Sequence, residues 1–182
     1  MVHEFEAHTP SLDTKSFVAE GVQLIGRVVM KEYSSIWFNS VARGDVNAIE
    51  IGRYSNIQDN CVIHGTDDCA SIIGDYVTVG HGCIIHGATI EEHCLLGMNS
   101  VILAGSVIGK GSIIAAGSVI LENQIIPPYS LVVGVPGKVI KQIPASFEQI
   151  HAQAVKYKTL WTERYGLLPN AGGERYNGEK IV

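Results

Sequence analysis

Branched aliphatic residues recur every sixth position between Ile51 and Ile120, with one insertion and one missing residue. These first positions of the hexads are Ile51, Ile57, Ile63, Ile73, Val79, Ile85, Ile90, Leu96, Ile102, Ile108, Ile114 and Ile120. The fifth positions are small or short: Ser55, Cys61, Val77, Cys83, Thr89, Cys94, Ser100, Ser106, Ser112 and Ser118. The fourth positions often hold Gly or Asn, which tolerate positive φ at the least cost: Asn60, Gly82, Asn99, Gly105, Gly111, Gly117 and Asn123.

This pattern predicts an all-β fold, a parallel β-helix. Residues two apart in an extended segment face the same way, so the small residue and the next aliphatic residue both point inward. Strands this short are not stable alone, but stacked coils of them bury a continuous core. An α-helix would need a period of about 3.6 residues, and a transmembrane barrel would need alternating segments of roughly ten residues.

The repeat ends near Ile120, and a different pattern follows. Residues 126–144 contain four of the six prolines, which block strand continuation, so the chain is expected to leave the coil there. A helix is predicted next, with a capping box formed by Ser146 and Gln149 and a stop at Gly166. Its apolar face consists of Phe147, Ile150, Ala154, Tyr157, Leu160 and Trp161.

Three segments are therefore expected. Residues 1–143 form the β-helix domain. Residues 144–166 form a C-terminal helix that packs on the outside of the coil of its own or a neighbouring subunit. Residues 167–182 are polar and glycine-rich, and we expect a loosely held tail.

Composition narrows the range of partners and compartments. The net charge of −5 and the pI of about 5.8 do not favour nucleic acid or an anionic membrane, which usually require a basic face. No apolar run approaches the roughly 20 residues that cross a bilayer, and the first ten residues lack the apolar core of a signal peptide. The four cysteines follow the repeat and form no CxxC pair, which favours reduced thiols in a cytoplasmic protein.

Three histidines interrupt the hexads. His64 and His86 both follow an inward aliphatic residue and lie 22 residues apart, and removing the four-residue insertion leaves 18, which is three hexads or one coil. They are therefore predicted to stack on one edge. His81 occupies the third position of its hexad and points elsewhere. Three imidazoles at such spacings favour a metal site. The histidines outside this set are interpreted as ordinary polar residues, and His93 as a corner residue: His3, His8, His93 and His151.

Two segments carry a resemblance to a known family. ARGDVNAIEIGRYSNIQDNCVIHG, followed by VGHGCIIHGATIEEHCLLGMNSVI, resembles the γ-class carbonic anhydrases among the left-handed β-helix hexapeptide-repeat proteins. The resemblance covers roughly residues 10–165. It implies a homotrimer of left-handed β-helices with metal sites between subunits.

The resemblance also implies how the three histidines combine. His64 and His86 would come from one subunit and His81 from the next, leaving one open position as a catalytic zinc site requires. The metal would be Zn2+, with Fe2+ or Co2+ as alternatives, because three imidazoles suit several ions. The implied reaction is reversible hydration of CO2 to bicarbonate by a metal-bound hydroxide.

Further roles are implied for nearby polar residues. Gln58 matches the glutamine that positions the hydroxide in the family, and Asn56 matches a second polar residue of that site. Arg43, Asp45 and Asp59 match residues that form salt bridges across the trimer interface, where Arg binds carboxylates bidentately.

The sequence departs from the family pattern at the proton shuttle. Val46 stands where the archetypal enzyme has a glutamate, and the acidic loop after His64 is reduced to Thr66, Asp67 and Asp68. Asp67 and Asp68 are candidates for proton transfer. Without a shuttle, the return of a proton to solvent would limit turnover, so slow CO2 hydration is expected.

Two other functions remain open at this point. The chain could be a hexapeptide-repeat acyltransferase that uses acetyl-CoA, because GVPGKVIK resembles the segment that closes the coil in that group and a single histidine serves there as general base. It could also be a metal-binding trimer that is not catalytic or that catalyses another reaction.

Overall fold

The computed structural model describes residues 1–182 and has the architecture that the hexads predict: a parallel β-helix of about seven coils, here with one C-terminal helix. Each coil contributes a short strand to each of three faces. Strands β4 (Gln23–Met30) and β6 (Val41–Ile51) are long and bend from face 1 into face 2.

Strands one coil apart pair in parallel throughout the faces. Besides parts of β4 and β6, face 1 holds β1 (Val2–His3), β8 (Val62–His64), β11 (Ile84–His86), β14 (Val101–Ile102) and β17 (Val119–Ile120). Face 2 holds β2 (Ser11–Leu12), β9 (Ser71–Ile73), β12 (Thr89–Ile90), β15 (Val107–Ile108) and β18 (Ile125–Ile126). Face 3 holds β3 (Phe17–Val18), β5 (Ser35–Ile36), β7 (Asn56–Ile57), β10 (Thr78–Val79), β13 (Leu95–Leu96), β16 (Ile113–Ile114) and β19 (Ser130–Val133), and it ends with the antiparallel β20 (Lys138–Gln142).

The core is the stack of inward aliphatic residues. Each predicted first-position residue is at most 1% exposed, and those on one face stack through the strand register. The predicted small positions are buried too, except Thr89, for which the prediction is wrong. One residue is missing from the coil after His86, so Ala88 takes the inward small position, 1% exposed, and Thr89 becomes the outward residue of β12.

The corners between faces adopt the left-handed conformation expected of their Gly and Asn residues. Five aromatic corner residues share it, with φ between 56° and 62°. Four of them stack in what we call the aromatic column, Tyr33, Tyr54, Tyr76 and His93, and the fifth is Tyr129. Neighbouring rings in this column lie 4.8 Å apart between centroids. The left-handed backbone conformation is unfavourable for these large residues, and the contacts between their rings stabilise the corners that adopt it.

The C-terminal helix packs on its own coil. A 3-10 turn, Pro144–Ser146, leads into α1 (Phe147–Thr159), and a π-helical turn, Leu160–Arg164, follows. Helix α1 lies against β7 and β10 of face 3. Gly166, with φ of 69°, follows the last turn as predicted.

The predicted capping box is wrong. Ser146 already has helical backbone angles, because it is the last residue of the preceding 3-10 turn, and its side chain makes no capping hydrogen bond. Its backbone N–H instead donates to the carbonyl of Ile143.

The division of the chain near residues 143 and 166 stays a prediction. The structure adds that residues 171–176, which we call the strap, cross the aromatic column and make hydrogen bonds to the coil and to α1.

The four cysteines are free thiols. No helix in the structure has the length and the apolar character that crossing a membrane requires.

Truncating an inward residue should destabilise the coil far more than truncating an outward one on the same face. We expect Ile108→Ala to lower the free energy of unfolding by about 2–5 kcal/mol, because it leaves a cavity between two coils. Ile125→Ala, at a side chain that is 64% exposed, is the matched control and should change it little. Urea denaturation followed by circular dichroism measures both, and equal losses would contradict the assigned facing.

Candidate functional site

His64 and His86 stack on face 1, as the coil arithmetic predicts. The register pairs His86 with His64, and their ring centroids lie 5.4 Å apart at an angle of 31°. Both residues end their strands and are half-buried. The backbone at this corner is fixed, because the carbonyl of His64 accepts hydrogen bonds from the Ser71 hydroxyl at 2.6 Å and the Gly87 N–H at 2.9 Å.

The side chains of Arg43 and Asp45 lie beside this histidine pair, one coil earlier on face 1. Arg43 is the register partner of His64, and its Nη1 pairs with Oδ2 of Asp45. The other oxygen of Asp45, Oδ1, lies 3.0 Å from Nε2 of His64. Burial alone would raise the pKa of Asp45, but the hydrogen bonds from Arg43 and His64 lower it overall, so the carboxylate is ionised at neutral pH.

The Arg43–Asp45 pair is thus made within one chain. The predicted salt bridges across a subunit interface stay a prediction, and Asp59 is not part of this group. Val46 has an exposed side chain beside it. In the nearby loop, Asp67 and Asp68 are exposed, and Asn47 donates to the backbone carbonyls of Thr66 and Asp67.

His81 lies at a different corner, two residues after the end of β10. Its Nδ1 is 2.6 Å from Oδ2 of Asp59, and its side chain is 48% exposed. The corner needs a glycine beside it, because a Cβ at Gly80 would lie 2.8 Å from the carbonyl oxygen of Leu96 in the next coil. No group of three or more His, Cys, Asp or Glu residues that could hold a metal ion occurs within the single chain.

A pocket of about 210 Å³ adjoins His81 between the coil and α1. Gln58, 5% exposed, lines it, and its Nε2 donates to Oδ1 of Asn56 at 3.2 Å. Asn56 is fully buried and in turn donates to the hydroxyl of Thr78 at 3.0 Å. The two amides therefore support each other, and the Oε1 atom of Gln58 is free of this chain of hydrogen bonds. The apolar part of the wall is Leu95, Leu96 and Met98.

Two residues of this pocket were missed by sequence reasoning. Gln153 and Tyr157 reach the pocket from α1, one helical turn apart. Oε1 of Gln153 is buried without a hydrogen-bond partner. Burial, and then the charge of Asp59, raise the pKa of Tyr157. The spacing of four residues placed both on one helical face, but only the docking of α1 on face 3 brings that face to His81.

The chain thus carries two separate groups of candidate residues. One is on face 1 with His64, His86, Asp45 and Arg43, and the other is at the His81 corner with Asp59, Gln58 and Asn56.

Comparisons with known proteins agree with this architecture. Residues 87–122 match the family model described as bacterial transferase hexapeptide (six repeats). The chain is 47% identical over 144 residues to the "Probable carbonic anhydrase" of Methanocaldococcus jannaschii, covering 79% of this chain and 91% of that protein. It is 39% identical over 172 residues to the carbonic anhydrase of Geobacillus kaustophilus, covering 90% and 94%. A Bacillus cereus structure described as a candidate acetyltransferase is similar with a TM-score of 0.88 and 36% identity, covering 91% of this chain and 97% of that one.

The coil and the matched repeats define a hexapeptide-repeat β-helix protein. Within this class, the chain belongs to the γ-class carbonic anhydrase-like family.

Proposed function

We propose that this protein is a metal-dependent, carbonic anhydrase-like hydro-lyase that hydrates CO2 reversibly at a site built from two subunits of a homotrimer. The observation that carries the proposal is the division of the histidines. His64 and His86 stack on one face, whereas His81 opens onto a pocket at another corner, so no single chain unites them.

The donor chemistry of these groups fits a metal ion. The contact of 2.6 Å between Nδ1 of His81 and Oδ2 of Asp59 favours a proton on Nδ1, and this leaves Nε2 as the bare nitrogen that a metal ligand needs. His64 and His86 add two imidazoles, and a set of three neutral imidazoles suits Zn2+, Co2+ or Fe2+. For Nε2 of His64 to bind the metal, its contact with Oδ1 of Asp45 must break. The carboxylate of Asp45 would then keep two other donors, the guanidinium of Arg43 and the N–H of Val46.

The face that carries His64 and His86 has the character of a surface that a second copy of the chain covers. An outward column of apolar residues runs beside the histidines, one per coil: Val41, Val62, Ile84, Val101 and Val119. Val62 and Ile84 are 42% and 41% exposed, whereas α1 already covers part of face 3. Covering this column in a trimer would bury apolar area and bring a neighbour's corner to the histidine pair.

The reaction places different demands on different residues. The imidazoles of His64, His86 and His81 would hold a divalent ion, which would supply Lewis acidity and a water whose pKa is lowered to about 7 as the nucleophile. Gln58 is placed to accept a hydrogen bond beside His81 and so to orient that nucleophile, because Asn56 holds its amide nitrogen. Leu95, Leu96 and Met98 offer an apolar wall to CO2, which is itself apolar.

The chain has no buried titratable side chain beside the histidine pair that would carry the released proton to solvent. Val46 offers no titratable group beside Asp45, and the candidates Asp67 and Asp68 lie in an exposed loop. We therefore infer that turnover depends on buffer, with external bases removing the proton.

A second candidate function is supported by the similarity to the Bacillus cereus structure described as a candidate acetyltransferase. A hexapeptide-repeat acyltransferase would use acetyl-CoA and one histidine as general base, and it would need no metal. A metal-binding trimer without hydratase activity is the third alternative.

Removing one imidazole should remove the metal without unfolding the coil. We expect His81→Ala to lose bound metal and CO2 hydration, while His8→Ala, at an exposed residue of the N-terminal segment, keeps both. Elemental analysis and stopped-flow CO2 hydration test this, and added imidazole buffer should accelerate the wild-type protein. A His81→Ala protein that keeps its metal would contradict the site. Metal binding with no hydration at any buffer concentration would favour the non-catalytic trimer, and acetyl-CoA turnover without metal would favour the acyltransferase.

A charge placed in the apolar column should disrupt assembly. We expect Ile84→Glu to shift the protein from trimer to monomer, because association would then bury an unpaired carboxylate. Ile125→Glu, on face 2 at a more exposed side chain, is the matched control and should stay trimeric. Light scattering coupled to gel filtration measures the mass, and a trimeric Ile84→Glu protein would show that another face forms the interface.

A further inference from the structure

The strap is bound to successive rings of the aromatic column. The hydroxyl of Tyr33 donates to the carbonyl of Ala171 at 2.9 Å, and the N–H of Glu174 donates to the hydroxyl of Tyr54 at 2.9 Å. The hydroxyl of Tyr76 donates to Oε1 of Glu174 at 2.5 Å. Three coils thus each provide one hydroxyl to the strap.

Helix α1 binds the strap from the other side. Nζ of Lys158 donates to the carbonyl of Gly172 at 2.6 Å, and the N–H of Tyr176 donates to the hydroxyl of Thr159 at 2.9 Å. The strap therefore connects the last two turns of α1 to the corners of the coil.

A chain of hydrogen bonds closes this connection at Glu174. Oε2 of Glu174 lies 2.7 Å from Nε2 of His151 on α1, and Nδ1 of His151 lies 3.1 Å from Nε2 of His93 in the column. His93 is sandwiched in the stack, 4.1 Å from the ring of Phe147 and 4.8 Å from that of Tyr76 between centroids. Its remaining nitrogen, Nδ1, is buried and has no partner.

This arrangement favours the neutral state of the two imidazoles over the protonated one. With both rings neutral, Nε2–H of His93 donates to His151, and Nε2–H of His151 donates to Glu174. A further proton on the pair must then reside on Nδ1 of His93, where it would be a buried donor with no acceptor. An unsatisfied buried donor of this kind is costly, so protonation and the closed arrangement oppose each other.

We propose that Glu174, His151 and His93 form an acid-sensitive latch, and that protonation of His93 releases the strap from the aromatic column and from α1. No role in the metal site is involved, because all three residues lie outside both groups of candidate site residues.

The direction of the pH dependence follows from two groups that act in the same sense. Burial, and then the neighbouring His151, lower the pKa of His93 below its usual 6.5. Burial alone would raise the pKa of Glu174, but the hydrogen bonds from Tyr76 and His151 lower it overall. Both groups thus bind protons less readily when the latch is closed, so their stabilisation is complete at neutral pH. The part due to His93 is lost as the pH falls below about 6.5, and the part due to Glu174 is lost only in stronger acid.

Other charged groups face the latch from every neighbouring element. They are Arg53, Asp75 and Glu92 from the coil corners, Glu148 and Lys158 from α1, Arg175 from the strap, and Glu179 and Lys180 from the tail. Glu92, Glu148 and Asp75 favour a protonated His93, yet burial prevails and the pKa of His93 is lowered.

Release of the strap would also affect the pocket at His81. Helix α1 carries His151 on the side of the strap, and it carries Gln153 and Tyr157 on the side of that pocket. The latch therefore holds the helix that completes the pocket wall. This consequence rests on the proposed function, whereas the latch itself does not.

Amide hydrogen exchange on the full-length protein, followed by mass spectrometry and corrected for intrinsic exchange rates, tests the latch. In the wild-type protein, protection of the strap should fall between about pH 7.5 and pH 5.5. Glu174→Ala should increase exchange of the strap about tenfold or more already at pH 7.5, because it removes hydrogen bonds to an ionised group. Glu179→Ala is the matched control, since the side chain of Glu179 bonds only to the N–H of Asn177 within the tail.

His93→Phe separates the titration from the packing. Phenylalanine can stack in the same place but cannot be protonated, so the strap should stay protected through this pH range. The proposal is contradicted if the strap of the His93→Phe protein shows the wild-type pH dependence of exchange. It is also contradicted if the strap exchanges equally fast in the Glu174→Ala and Glu179→Ala proteins. Neither readout depends on metal content or CO2 hydration, so the outcome is independent of the proposed reaction.

Discussion

The stacking of inward aliphatic residues from coil to coil is the constraint on which the rest of this structure depends. Each side chain rests on its equivalents one coil above and below, as Ile63, Ile85, Ile102 and Ile120 do on face 1. Because side chains alternate along a strand, a slip of one residue would turn a whole column outward. The register is therefore fixed by burial, and outward residues hold fixed positions as well.

That register has a chemical consequence. It places His64 and His86 together, one coil apart, and it keeps His81 at another corner, since residues of different corners of a rigid coil cannot approach each other. Two of the histidines also face a carboxylate: Asp45 lies 3.0 Å from Nε2 of His64, and Asp59 lies 2.6 Å from Nδ1 of His81. A scaffold of this kind obtains a three-imidazole site only by association, which is why the apolar column beside His64 matters for the proposed function as well as for assembly.

The features that depend on the six-residue period could be predicted from the sequence. The inward columns, the left-handed corners and the pairing of His64 with His86 all follow from local spacing. It was insufficient where the period breaks or where distant segments meet. Thr89 was misplaced because the deletion after His86 moves Ala88 inward, and the capping box failed because a 3-10 turn precedes the helix. Gln153 was overlooked because its role depends on where α1 docks. The latch residues His93, His151 and Glu174 are far apart in sequence, and nothing local to each indicates the others.

The central claim is that one metal site requires residues of two subunits, and mixed trimers test it most directly. Chains carrying His64→Ala and chains carrying His81→Ala, with different affinity tags, are co-expressed, and trimers that hold both tags are purified. In a cyclic trimer of either mixed composition, only one interface joins an intact His64 to an intact His81, so the account predicts about one metal ion per three chains. Each parent variant alone should hold none. Mixed trimers that also lack metal would contradict the account, because every chain then must provide the complete site by itself.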